Sequence, residues 1–254
     1  MNGLASAPRA PERNRAMISK KKASIAALAA VAASAFAIDG REVMQNAYDV
    51  KKPSFSHSAV KMELTEASGA VETRMVEEWG RDKNDLVSTV MSFQSPASVK
   101  GTRFLIVENK DRDDDKWIFL PALRSTRRIA SSEGDKPFMG TDASYDDLST
   151  REVDKDTHEL LREETVGGYS CYAVKSTPKD PADAQYSYRV SYVDKGSWVP
   201  VKAEMYDKKG ALLKVLTVEK LEKVSGYWIP MVDSLKNVQT NHSTRISIMK
   251  IEID

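Results

Sequence analysis

The residue types that could support acid–base or metal chemistry are scattered along the chain. The three histidines, His57, His158 and His242, stand far apart, with no HExxH pattern and no carboxylate at ligand spacing. No G-x-S-x-G motif is present, and the Gly167-Gly168 pair lies between predicted strands, where it cannot open a helix over a phosphate. The sequence therefore predicts no catalytic residue, no metal site and no cofactor, with an enzyme of dispersed catalytic residues as a minority alternative.

The remaining reactive side chain is the single cysteine, Cys171. It occurs in the strand-like stretch 169–173, which favours a buried structural thiol over the two alternatives, a nucleophile and an intermolecular disulfide. An exported chain with one cysteine must obtain its stability from burial and hydrogen bonding.

Residues 17–37 have the composition of a secretory signal peptide. A lysine cluster precedes an apolar run and the small-residue exit Ala35-Phe36-Ala37. The apolar run is shorter than the roughly 20 residues that span a bilayer. We therefore expect residues 1–16 to be a dispensable extension, residues 1–37 to be removed, and residues 38–254 to be a single soluble periplasmic domain with no transmembrane span.

The charge balance argues against a nucleic-acid partner. The whole chain carries 38 basic and 37 acidic residues, of which six basic and one acidic lie in residues 1–37. Residues 38–254 are left with 32 basic and 36 acidic side chains, a net charge of −4. A net negative surface does not attract a phosphate backbone.

Hydrophobic periodicity predicts a mainly β protein with one short helix at its N-terminus. The spacing of apolar residues over 39–49 is helical, with Asp39 as its cap. From residue 57 onward the period is two, and turn residues separate the apolar runs. The predicted strands are 60–64, 71–75, 87–93, 104–107, 117–120, 186–192, 201–205, 212–218, 227–238 and 244–253. About ten or eleven antiparallel strands in sequence order predict a meander that curls into a closed or partly open barrel.

Two regions depart from this alternation. The strands 104–107 and 117–120 are apolar on both faces, so we expect them to be neighbours at the centre of the sheet with apolar contacts on either side. The stretch 121–148 has little strand character, and loops of that length inside a compact domain are usually functional. We interpret it as a lid over a cavity.

The residues of this region resemble a known family. The blocks Trp117–Pro121, Arg127–Ile129, Phe138–Asp142 and Tyr145–Leu148, together with the signal peptide and the lead helix, are similar to the outer-membrane lipoprotein-sorting proteins, relatives of the periplasmic lipoprotein carrier LolA. The resemblance covers residues 38–254. It implies a half-open antiparallel barrel whose concave apolar face is covered by a lid and receives acyl chains.

The candidate ligand-binding residues follow from the apolar strands and the lid. They are Trp79, Met91, Phe93, Phe104, Ile106, Trp117 and Phe119, with Phe138 and Met139 in the lid. Each of them could instead be ordinary core. Arg124, Arg127 and Arg128 are candidates for binding an acidic lipid headgroup, or belong to a solvated strand end.

The function predicted is a periplasmic carrier or chaperone that binds the acyl chains of lipoproteins or lipids in an apolar cavity and delivers them towards the outer membrane. Its implied partners are lipidated proteins or lipids, an inner-membrane transporter and an outer-membrane acceptor. The main alternative is a periplasmic sensor or regulator with the same barrel, which binds lipidated ligands or a membrane-bound protein. An exported structural or adhesive protein is a further alternative.

Overall fold

The computed structural model describes residues 38–182 and 184–254. The predicted extension, signal peptide and cleavage point lie outside the described residues. The predicted helix is present as α1 (Gly40–Tyr48), and the Asp39 carboxylate accepts the Glu42 backbone N–H at 2.8 Å, which satisfies a donor at the helix start. Among the described residues, no helix is long and apolar enough to cross a membrane.

Thirteen strands follow the helix. They are β1 (Phe55–Thr65), β2 (Val71–Lys83), β3 (Leu86–Ser95), β4 (Arg103–Val107), β5 (Asp115–Leu120), β6 (Ser125–Arg128), β7 (Asp156–Val166), β8 (Tyr169–Pro178), β9 (Tyr188–Asp194), β10 (Pro200–Tyr206), β11 (Leu212–Val224), β12 (Tyr227–Asn237) and β13 (His242–Ile253). Single 3₁₀ turns occur at Pro121–Leu123, Ser131–Glu133 and Val153–Lys155.

All thirteen strands form one antiparallel sheet in the order β6-β5-β4-β3-β2-β1-β13-β12-β11-β10-β9-β8-β7. Every neighbour pair is a consecutive hairpin except β1 with β13, which joins the two ends of the chain. The edges are β6 and β7, which are not paired with each other, so the sheet is open and not a closed barrel. The predicted mainly β fold with antiparallel strands in sequence order is confirmed.

The strand count of ten or eleven was too low because the two edge strands carry little apolar signal. All four residues of β6 are exposed, and β7 reads Asp-Thr-His-Glu-Leu-Leu-Arg-Glu-Glu-Thr-Val, with mostly polar side chains. Such strands are held by backbone hydrogen bonds to one neighbour and bury little of their own surface. Hydrophobic alternation therefore does not reveal them.

The sheet curls so strongly that distant strands meet. Lys116 of β5 and Lys214 of β11 are separated by seven strand-to-strand steps, about 34 Å along the sheet at the usual spacing of about 4.8 Å. Their ammonium groups nevertheless bind the consecutive residues Asp146 and Asp147, at 3.0 and 2.9 Å. Adjacent residues have Cα atoms only about 3.8 Å apart. The concave side, here called the inner face, therefore closes around this part of the chain.

Helix α1 packs on the inner face at the β7 end of the sheet. Val43 is fully buried against Val174 of β8 and Val193 of β9. At the helix start, a Cβ on Gly40 would lie only 2.7 Å from the backbone nitrogen of Leu160 in β7. Only glycine allows this approach of helix to strand, so the position of α1 depends on residue 40.

Candidate functional site

The connection from β6 to β7, residues 129–155, crosses the inner face, and we call it the crossing segment. It inserts Phe138, which is 1% exposed, into the concavity of β1 to β5. The Phe138 ring centroid lies 4.7 Å from that of Phe104, 6.1 Å from that of Phe93 and 5.9 Å from that of Tyr145. The surrounding buried side chains of the sheet are Val60, Val76, Ile106 and Ile118. The segment's own aromatic residues therefore fill this part of the concavity.

A tight turn aims Phe138 inward. The Phe138 N–H donates to the Ala143 carbonyl at 2.7 Å, and the Thr141 hydroxyl donates to the Phe138 carbonyl at 2.7 Å. Met139 and Gly140 have φ of +50° and +78°. Glycine adopts this left-handed region without strain, which explains why the chain can reverse here.

Arg74 of β2 connects the tip of this turn to the sheet. Its side chain is 8% exposed, and Nη1 donates to the Met139 carbonyl at 2.6 Å while Nε donates to Glu72 at 2.6 Å. A charged donor to a buried carbonyl forms one of the stronger hydrogen bonds available in a protein. Arg74 therefore ties the tip of this turn to β2.

The acidic residue Asp142 anchors the turn to β13. Its buried carboxylate accepts from the Thr244 hydroxyl at 2.8 Å and contacts Nδ1 of His242 at 2.7 Å. The Asp142 backbone N–H donates in turn to the Thr244 hydroxyl oxygen at 3.0 Å. On the β13 side these contacts use only the side chains of His242 and Thr244, so they can be broken without unpairing the strands.

The next two acidic residues, Asp146 and Asp147, meet the two buried lysines described above. Lys116 and Lys214 are 8% and 6% exposed. Asp147 also accepts from the Tyr186 hydroxyl at 2.8 Å. Burial, together with the Asp147 charge, raises the pKa of Tyr186, so the phenol stays protonated and remains a donor. The segment is thus attached to the inner face by polar contacts at four strands, β2, β5, β11 and β13.

A polar cavity of about 360 Å³ opens beside these ion pairs. It is lined by the β4–β5 loop, including Glu108, by Asp146 and Arg151 of the crossing segment, and by Arg189 of β9. Lys116 also reaches it. Solvent therefore has access to the lysine–carboxylate contacts at one end of the concavity.

The structure divides the candidate ligand-binding residues between two faces. Strand pairing places Met91 opposite Phe104, and Phe104 opposite Ile118, on the inner face. Leu105 pairs with Trp117, so the intervening side chains point the other way. The inner face receives Met91, Phe93, Phe104 and Ile106, which meet Phe138 and Met139 of the crossing segment. The outer face receives Trp79, Trp117 and Phe119, which are not brought together with the others.

The outer-face aromatics have local partners. Trp79 stacks on His57 with ring centroids 4.9 Å apart and an interplanar angle of 7°. The Arg103 guanidinium lies 5.9 Å from the centroid of Phe119. The strands β4 and β5 are neighbours, as predicted, but they are the third and second strands from the β6 edge and do not lie at the centre of the sheet. Only one of their two apolar faces belongs to the concavity.

The three candidate headgroup arginines lie at the edge of the sheet. Arg127 pairs with Glu133 at 2.9 Å, and Arg128 pairs with Asp115 at 2.6 Å. Hydrogen bonds from Arg112 and Arg128 hold the pKa of Asp115 well below its usual range. Arg124 is exposed, and its backbone adopts the left-handed conformation with a φ of +48°. Of the three, Arg127 contacts the crossing segment, at its N-terminal end through Glu133.

Sequence reasoning missed the inner-face basic residues Arg74, Lys116, Lys214 and His242. One signal in the sequence could have indicated Lys116. It lies two residues from Ile118 in the same strand, so both side chains are on the same face, and a buried charge on that face needs a partner. Without the strand register, the face of each residue could not be assigned.

Two acidic residues of the inner face, Glu78 and Asp233, have raised pKa values. Burial raises the pKa of Glu78 in β2. In β12, burial, with a contribution from Glu219 and Glu78, raises the pKa of Asp233 to about 7. Both side chains therefore favour the neutral, protonated form more than an exposed acid does.

Cys171 is fully buried and unpaired, as expected for a structural thiol. Burial raises the pKa of its Sγ, which disfavours the reactive thiolate. Within residues 38–182 and 184–254, no group of three or more histidine, cysteine or acidic side chains is arranged to hold a metal ion.

Comparison with known proteins agrees with the sequence resemblance. A family model described as an uncharacterized protein matches residues 85–254. The chain is 30% identical to a crystal structure described as an outer-membrane lipoprotein-sorting protein domain from Vibrio parahaemolyticus, with a TM-score of 0.79, over 85% of this chain and 92% of the other. This chain belongs to the outer-membrane lipoprotein-sorting protein family.

A second solved structure has the same degree of similarity. A DUF1329 family protein from Desulfovibrio piger is 30% identical, with a TM-score of 0.79, over 85% of this chain and 92% of the other. A LolA superfamily protein from Nitrosomonas europaea, at 18% identity and a TM-score of 0.65 over 86% and 94%, shares the fold. A search of the curated proteins found no match.

Proposed function

We propose that the protein is a periplasmic carrier that binds the acyl chains of lipoproteins or lipids on the inner face and delivers them towards the outer membrane. The observation that carries this proposal is the filling of the concavity by Phe138, from a connection that is attached by side-chain contacts. A ligand that replaces Phe138 would meet Met91, Phe93, Phe104 and Ile106.

The energetics of such an exchange are balanced. Exposing a buried phenylalanine costs about 3 to 5 kcal/mol by the area it buries. Each methylene that an acyl chain buries contributes about 0.8 kcal/mol. About four to six methylenes therefore offset the loss of Phe138, and a longer chain gives net binding. Closure by the segment's own side chains keeps the empty carrier from exposing an apolar surface.

Delivery implies further partners. Lipidated proteins or lipids would be the cargo, an inner-membrane transporter the donor and an outer-membrane protein the acceptor. The similarity to the Vibrio parahaemolyticus lipoprotein-sorting protein domain supports this role.

The test measures bound lipid in a pair of matched variants. Phe138→Ala shortens the side chain that fills the concavity, and Phe119→Ala makes the same change on the outer face. The purified proteins are incubated with vesicles of phosphatidylethanolamine and phosphatidylglycerol, separated from them and extracted with organic solvent for mass spectrometry.

We expect Phe138→Ala to retain several-fold more lipid than the unmodified protein, and Phe119→Ala to match the unmodified protein. Absence of lipid from all three proteins would refute a carrier. Equal gains in both variants would place the binding surface outside the concavity.

A further inference from the structure

The crossing segment and the inner face are complementary in charge as well as in shape. The segment supplies three carboxylates, Asp142, Asp146 and Asp147. The sheet faces two of them with Lys116 and Lys214, at 3.0 and 2.9 Å. His242 and Thr244 receive the third. The apolar side chains next to these acids fill the concavity, so the segment combines an apolar portion with an anionic one.

Removing the segment would leave two buried cations without a counterion. Lys116 and Lys214 are each more than 90% buried, and a buried charge without a partner is strongly unfavourable. A neutral acyl chain fills the position of Phe138 but offers nothing to the lysines. A ligand with a carboxylate or phosphate at one end satisfies both requirements.

We propose that the crossing segment fills the ligand-binding site of the empty protein, an inference that rests on the proposed carrier function. Phe138 takes the position of an acyl chain, and Asp146 and Asp147 take the position of a headgroup. The ligand is an anionic amphiphile whose carboxylate or phosphate binds Lys116 and Lys214. The polar cavity of about 360 Å³, lined by Lys116, Asp146 and Asp147, provides the route by which the headgroup enters.

The other acids on the inner face are compatible with this assignment. Glu78 pairs across the strands with Met91, in the row that continues to Phe104, and so lies along the acyl part of the concavity. Burial raises the pKa of Glu78, and that of Asp233 to about 7, which favours their uncharged forms. A raised pKa reduces the negative charge that these acids carry at a given pH, and so reduces their repulsion of an anionic ligand.

The experiment compares three probes with the same chain: dodecanoate, dodecyl phosphate and dodecanol. Calorimetric titration of the full protein measures each dissociation constant. We expect both anions to bind at least tenfold more tightly than dodecanol, because a charged hydrogen-bonded contact contributes that much or more. The first two probes also distinguish a carboxylate headgroup from a phosphate.

The variants have opposite expected effects. Lys116→Met and Lys214→Met should weaken dodecanoate binding at least tenfold while leaving dodecanol binding unchanged or tighter. Asp147→Asn weakens the contact between the crossing segment and Lys214, which competes with the ligand. It should therefore tighten the binding of both dodecanoate and dodecanol. Lys220→Met, at an exposed lysine in the same strand as Lys214, is the matched control and should change neither.

The outcomes separate the two proposals. Equal binding of dodecanoate and dodecanol, or equal weakening of both by the lysine variants, would refute the proposal that the ligand has an anionic headgroup. It would leave the proposed carrier function standing. Failure of every probe to bind any variant would overturn the carrier itself. If a lysine variant does not fold, the comparison of probes in the unmodified protein and in Asp147→Asn still decides the question.

Discussion

The attachment of the crossing segment by Arg74 leads to a quantitative prediction. Replacing Arg74 by methionine keeps the buried aliphatic volume and removes the charged hydrogen bond to the Met139 carbonyl. A hydrogen bond from a charged donor contributes about 1.5 to 3 kcal/mol. The other partner, Glu72, is 46% exposed and returns to water at little cost. The opening equilibrium of the segment should therefore rise by a factor of about 10 to 150.

Hydrogen exchange monitors this opening directly. The Asp142 N–H donates to the Thr244 hydroxyl of β13 at 3.0 Å and loses this acceptor when the segment opens, and the Phe138 N–H lies in the same turn, which the sheet then no longer holds in place. In Arg74→Met we expect these amides to exchange about 10 to 150 times faster, with the amides of β8 to β10 unchanged.

Arg245→Met serves as the control, because this arginine is 42% exposed and pairs with Glu219 away from the segment. Exchange at Phe138 that stays within threefold of the unmodified protein, or acceleration of all strands alike, would refute the idea that Arg74 holds the segment in place.

Three further predictions concern stability. Phe138→Ala should lower the free energy of unfolding in urea by about 3 to 5 kcal/mol, and Phe119→Ala on the outer face by about 1 kcal/mol; similar losses would mean that the two sites are equally buried. Because the pKa of Asp233 is raised to about 7, the folded state keeps a proton that the unfolded state releases between pH 4 and pH 7. The free energy of unfolding should therefore fall by up to about 4 kcal/mol across this range. Urea titrations at several pH values should show that Asp233→Asn removes this pH dependence. Gly40→Ala should cost about 1 to 3 kcal/mol in the same assay because its Cβ would meet the Leu160 backbone, and an unchanged stability would show that α1 can shift without loss.

Sequence periodicity was informative where a strand buries one face. The alternation of Val60, Met62 and Leu64 predicted β1, and the helical spacing after Asp39 predicted α1, because burial repeats with the period of the backbone. The edge strand β6 gave no such signal because its side chains are all exposed. Its existence depends on pairing with β5, a partner that local sequence does not reveal.

The site was predictable only in part for the same reason. The long connection containing Phe138 stood out by its length and weak strand character. The prediction that Trp117 and Phe119 share a face with Phe104 was wrong. Apolar character alone does not assign a face, because neighbouring residues of one strand point to opposite faces. The partners of Lys116 and Lys214 lie about 30 and 67 residues away along the chain, so no local pattern connects them.

By itself, the sequence determined the class of the protein: a chain rich in alternating strands, with a short helix, a resemblance to lipoprotein-sorting proteins and no catalytic motif. These properties depend on residues close together in the chain, where backbone geometry fixes the period. The tertiary structure alone decided which apolar residues share the inner face and which charges the crossing segment meets. Those relations come from strand register and from the curvature of thirteen strands, through which residues far apart in sequence are brought into contact.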